Sequence, residues 1–162
     1  GKKGLIDDNL DAGNDAWKEF EALTDRRPAN WDTDQDGMPD WWEKLAGTNP
    51  SAADNNELTD GEYTQLERYL NWLAEPHFIT SAGNKLTIDL KQYFAGYNQQ
   101  PVFTLESSIQ PQEGKMKLNK KGILTISLNK KAADCLIDIK VKATDKDQVA
   151  SLQRTFHIAI TQ

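Results

Sequence analysis

The chain has 162 residues, of which 38% are hydrophobic and 27% charged, with a formal net charge of −6. This balance excludes a disordered chain, and no run approaches the roughly eighteen apolar residues of a membrane span. Its length suits one medium domain or two small ones, and a single cysteine, Cys135, excludes an internal disulfide.

Charge is unevenly spread. Residues 1–76 carry 18 Asp and Glu against 7 Lys and Arg, whereas residues 77–162 carry 7 against 12, which suggests two modules. Nucleic acid is not an expected partner: the first half is acidic, and the lysines of the second are scattered over strand and turn positions as a solvated surface. The opening Gly-Lys-Lys-Gly has no apolar stretch behind it, so the chain reads as a mature segment of something longer.

Residues 1–13 are polar and irregular. From about Asn14 to Leu23, Trp17, Phe20 and Leu23 recur at helical spacing beside Ala16 and predict a short amphipathic helix. Pro28 disfavours helix at Arg27, so the chain enters the next stretch extended.

That stretch, Asp32-Thr-Asp-Gln-Asp-Gly-Met-Pro-Asp-Trp-Trp-Glu43, has the oxygen-ligand spacing of a calcium loop. Asp32, Asp34, Asp36, Asp40 and Glu43 fill positions 1, 3, 5, 9 and 12, and Gly37 supplies the sharp turn at position 6. The backbone carbonyl of Met38 is the position-7 ligand. Calcium is the expected cofactor, since these carboxylates repel one another unless a cation neutralises them. The alternative is an acidic, solvated loop of chance spacing. A site of this kind fills most readily in the millimolar calcium outside a cell, so the expected location is extracellular or periplasmic.

The loop departs from an EF-hand in two ways. No helix leads directly into Asp32, and Pro39 has no N–H to give to a paired loop. Pro39 suits the start of an exit helix running to about Ala46, which Gly47 and Asn49-Pro50 then stop.

Residues 51–62 form a polar connector. A helix from about Glu62 to Ala74 presents Tyr63, Leu66, Tyr69, Leu70 and Leu73 on one face, which is expected to pack on Trp41, Trp42, Leu45 and the first helix. Asp60, Gly61 and Glu67 trace a second loop, but Leu58 stands where an oxygen is needed, so a plain connector is expected. Trp31, Trp41, Trp42 and Trp72 could form a sugar-stacking platform; at this spacing around a small core, packing is the expected role.

Glu75-Pro76-His77 marks the change from helical to alternating period and the boundary between modules 1–76 and 77–162. Strands are predicted at 78–80, 85–90, 101–106, 116–118, 123–128, 135–143 and 151–160. Cys135, Ile137, Ile139, Val141 and Ala143 face inward on one long strand, and Leu152, Phe156, Ile158 and Ile160 on the last. The expected fold is α plus all-β in two modules: a small helical calcium-loop domain, then a seven-stranded β-sandwich of immunoglobulin type. A monomer is expected.

The loop, with Gly47-Thr-Asn-Pro and Tyr63-Thr-Gln-Leu-Glu-Arg-Tyr-Leu-Asn-Trp72 after it, resembles the C-terminal calcium-loop segment of secreted bacterial pectate lyases. The loop itself is similar to thrombospondin calcium repeats. The stretches Leu86 to Phe94, Gly122 to Leu128, Lys140 to Asp145 and Thr155 to Ile160 resemble cadherin-like and immunoglobulin-like repeats of bacterial surface proteins. Those repeats often bind calcium between domains; here Asp145 and Asp147 are the only candidates, and a turn is the expected role.

The resemblance implies a non-catalytic accessory region of a polysaccharide-degrading enzyme, reaching polysaccharide through its parent. A carbohydrate-binding module and an adhesion or spacer module are the alternatives. No catalytic residue is assigned: the chain lacks the coil repeats of a lyase β-helix, and His77 and His157 stand without a nucleophile.

Overall fold

The computed structural model describes residues 27–59, 61–96, 101–146 and 150–161. The helix predicted near Asn14 to Leu23, and the residues Asp60 and Asp147, lie outside the described residues. The chain forms two compact units, Gly1–Trp31 and Asp32–Gln162. In the described part of the first, the Trp31 N–H donates to the Pro28 carbonyl at 2.9 Å and the Arg27 guanidinium stands 3.6 Å over the Trp31 ring.

The second unit is mostly β, with two short helices and two sheets in a sandwich-like arrangement. Helix α1 spans Asp40–Ala46 and α2 spans Gln65–Ala74. The strands are β1 (His77–Ser81), β2 (Lys85–Asp89), β3 (Val102–Leu105), β4 (Gly114–Leu118), β5 (Ile123–Leu128), β6 (Cys135–Thr144) and β7 (Ser151–Thr161). A 3-10 turn at Leu90–Gln92 takes the end of the predicted second strand.

One sheet has the order β1-β7-β6-β3 and the other β2-β5-β4. Strand β1 runs parallel to β7, and the remaining pairs are antiparallel. Period-two alternation places Leu124, Ile126 and Leu128 of β5, Ile137, Ile139, Val141 and Ala143 of β6, and Phe156, Ile158 and Ile160 of β7 in the shared core. Cys135 packs half-buried against that core. Leu152, expected inward, is exposed, because β1 pairs only with His157 to Thr161 and leaves the start of β7 at a sheet edge. Asp145 is tied to Ala150: its N–H donates to the Ala150 carbonyl and its carboxylate accepts the Ala150 N–H.

The outer face of the first sheet is covered as well. Leu136 of β6 and Ala159 of β7 pack beneath Met38, Trp42, Tyr69 and Trp72, which form a second core. The period change near Pro76 therefore falls inside one compact unit, where the apolar residues of the helices bury themselves on the sheet.

Helix α2 begins later than its apolar pattern suggests. Thr64 caps it in a reciprocal box: Thr64 Oγ1 accepts the Glu67 N–H at 3.2 Å, and Glu67 Oε2 accepts the Thr64 N–H at 2.8 Å. Glu67, part of the traced second loop, thus serves as a cap with its Oε2. The helix is also turned relative to the expected stripe. Leu66, Tyr69 and Trp72 face the core, whereas Tyr63, Leu70 and Leu73 are exposed. Burying the larger Trp72 decides the face, since it meets Trp41 edge-on at 5.7 Å and His77 at 4.3 Å.

Candidate metal centre

The loop begins at Asp32 and turns sharply. Gly37 adopts φ +97° and Gln35 φ +62°, left-handed conformations that let successive backbone N–H groups point inward. The carboxylates are held by those groups. Asp32 accepts the Asp36 N–H at 3.2 Å with one oxygen and the Gly37 N–H at 3.1 Å with the other. Asp34 Oδ1 accepts the Asp36 N–H at 3.3 Å, and Asp36 Oδ1 accepts the Met38 N–H at 2.9 Å.

Helix α1 then delivers Glu43. Its start is fixed by Pro39, whose carbonyl accepts the Trp42 and Glu43 N–H groups, and its end by Gly47 at φ +83°, where the Gly47 and Thr48 N–H groups both reach the Glu43 carbonyl. Trp42 is wholly buried in the second core, and the Glu43 side chain is wholly buried beside it.

Two overlapping triads result. Asp32, Asp34 and Asp36 bring one oxygen each within 4.8 Å of one another, and so do Asp36, Glu43 and Asp54. Asp40 is placed differently: it accepts the Thr33 N–H and hydroxyl, each at 2.8 Å, and so braces the loop from position 9. The Thr33 hydroxyl, and then its N–H, hold the Asp40 carboxyl below its ordinary pKa. Met38 buries its side chain in the second core.

Asp54 is the residue that the loop spacing misses. It stands in the connector, where its Oδ2 accepts the Asn49 N–H at 3.1 Å. The adjacent Asn55 ties the same connector to the loop by donating from Nδ2 to the Asp36 carbonyl at 2.9 Å. The sequence signal is faint: one Asp shortly after a helix stop.

Carboxylate oxygens are buried here without a donor among the described residues: Asp34 Oδ2, Asp36 Oδ2, both oxygens of Glu43 and Asp54 Oδ1. A buried ionised carboxylate lacking donors is strongly destabilising unless it is protonated or meets a cation. Burial, and then the charges of Asp34, Asp36, Asp54 and Asp40, push the Glu43 carboxyl up to about 7. Burial and the neighbouring Asp36 raise Asp34 as well. These groups are all hard oxygen donors, so they fit calcium or magnesium and not a thiolate-seeking metal. Packed protein carboxylates favour calcium over magnesium, which keeps more of its own water.

Three of the four tryptophans that could have stacked on a sugar are packing residues, while Trp31 belongs to the other unit. Trp42 and Trp72 are buried and Trp41 is half-buried against Trp72. His157 lies on the outward face of β7 and its ring meets Asp138 Oδ1 at 2.6 Å, a contact that lowers the Asp138 pKa. His77 lies against Trp72.

No protein-family model matches the chain, and no curated protein matches it. Solved structures with partial similarity include a SusE-like surface-located polysaccharide-binding protein from the Bacteroides thetaiotaomicron heparin utilisation locus. It is 19% identical with a TM-score of 0.40, over 52% of this chain and 14% of that one. Another is protocadherin gammaB7, 15% identical with a TM-score of 0.37, over 54% of this chain and 22% of that one. The titin M3 domain is 10% identical with a TM-score of 0.33, over 54% of this chain and 90% of its own. The chain thus spans under a quarter of the first two. Among the described residues no helix is long and apolar enough to cross a membrane.

Proposed function

We propose that this chain is a calcium-stabilised, non-catalytic accessory module, in which one ion bound at the loop of Asp32 to Glu43 organises the helical layer on the β-sandwich. The observation that supports it is the set of buried, donorless oxygens on Asp34, Asp36 and Glu43, on the residues that the loop spacing names as ligands. Asp32 completes the set through its place in the first triad.

The strands support an immunoglobulin-like or cadherin-like reading, because the first strand runs parallel to the last in one sheet and the second sheet, of order β2-β5-β4, is antiparallel. Placement in a secreted polysaccharide-degrading enzyme, with a pectate lyase-like parent, rests on the motif resemblance of the loop and of the Tyr63 to Trp72 segment. In that setting the ion makes a stiff joint beside a catalytic domain carried elsewhere in the parent.

Isothermal titration of chelator-stripped protein with Ca²⁺ tests the metal reading. Saturable binding that Asp34→Ala weakens supports it; a flat titration of the folded protein contradicts it. Affinity electrophoresis on pectin separates an accessory joint, which leaves mobility unchanged, from a carbohydrate-binding module, which is retarded.

A further inference from the structure

The carboxylates do not stop at the end of the loop. Asp54, from the connector between the helices, shares a triad with Asp36 and Glu43. Its Oδ1 is buried without a donor while its Oδ2 is engaged by the Asn49 N–H, so one oxygen fixes the side chain and the other is left for something else. The independent sign of a ligand is Glu43, wholly buried, with both oxygens donorless and one of them within 4.8 Å of an Asp54 oxygen.

We propose that Asp54 is a direct ligand of the bound cation, so that the ion joins the loop, α1 and the connector instead of being contained by the loop alone. The inference rests on the calcium reading above. A divalent oxygen site with ligand distances of about 2.4 Å requires its oxygens to lie within roughly 4.8 Å of one another, which is the spacing in both triads. The connector is already seated for the role. Asn55 donates to the Asp36 carbonyl on one side, and the Asn55 carbonyl accepts the Leu66 N–H at the start of α2 on the other. A cation on Asp54 therefore clamps the segment that leads into the second helix. Asp40, which belongs to neither triad, is left as a brace through Thr33.

The test compares Asp54→Asn, which keeps an acceptor for the Asn49 N–H, with Asp40→Asn in Ca²⁺ titrations of the full chain. The expected result is an affinity loss of about tenfold or more for Asp54→Asn and about threefold or less for Asp40→Asn. Amide hydrogen exchange supplies a second readout: Ca²⁺ is expected to slow exchange across residues 49–56 in the parent chain, and not in Asp54→Asn. An Asp54→Asn variant that binds within twofold of the parent, with the same protection of 49–56, overturns this assignment and leaves the calcium reading standing. A parent chain that binds no Ca²⁺ overturns both.

Discussion

The ring of Trp42 lies 5.1 Å from that of Tyr69, and this pair joins the helix that carries Glu43 to the helix that follows the connector. The packed core and the carboxylate cluster are therefore neighbours on one turn of α1. Trp42 faces the core over Leu136 and Ala159, and Glu43, the next residue, faces the other carboxylates.

Trp42→Ala is expected to destabilise the protein by about 3–5 kcal/mol, since it empties a fully buried indole site. Calcium affinity falls with it, because α1 no longer holds Glu43 in place. Urea unfolding with and without Ca²⁺ measures both effects, and equal unfolding midpoints for parent and variant contradict the packing role.

Chelation is expected to lower the unfolding temperature. At a free Ca²⁺ concentration of about 100 times Kd the ion adds about 2.7 kcal/mol, or about 5–10 °C for a unit of this size. Trp41, Trp42 and Trp72 report from the helical layer, so tryptophan fluorescence melts in Ca²⁺ and in EGTA give the shift directly. Superimposable melts count against a structural ion.

The metal-free protein is expected to lose stability as pH rises. Glu43 titrates near 4.5 unfolded and at about 7 folded, so between those values the folded state binds more protons than the unfolded one. Stability is then fully present below pH 4.5 and declines as pH climbs through about 7. Saturating Ca²⁺ reverses the trend, because the ion binds the ionised carboxylate. Chemical denaturation at pH 5 and pH 7.5 with EGTA shows the sign, and Glu43→Gln reduces the slope.

Within the carboxylate set the substitutions are ranked. Asp34→Ala is expected to weaken Ca²⁺ by about tenfold or more, whereas Asp60→Ala, at the traced second loop, leaves it nearly unchanged. Thr64→Ala costs about 1 kcal/mol of stability by removing the α2 cap, with little effect on the ion. Titration calorimetry and thermal melts on the three variants separate these effects.

The strands were legible because alternation is local: Ile137, Ile139, Val141 and Ala143 are inward in sequence and in structure alike. The turn of the loop was legible for a related reason, as its carboxylates recur at fixed spacing around Gly37, which takes φ +97°. What escaped depends on tertiary contact. Whether α2 buries Leu70 and Leu73 or Trp72 is decided by Trp41 and His77, which lie on other elements. Asp54 escaped because its neighbours in space, Asp36 and Glu43, belong to an earlier segment, and its own flanking residues carry no ligand pattern.

A crystal structure of the chain grown in millimolar Ca²⁺ is the most direct measurement. The expected density is one ion within about 2.3–2.6 Å of oxygens from Asp32, Asp34, Asp36, Glu43 and Asp54. Carboxylates turned to solvent around an empty loop, at a calcium concentration that saturates ordinary extracellular sites, would contradict the proposed role of the ion.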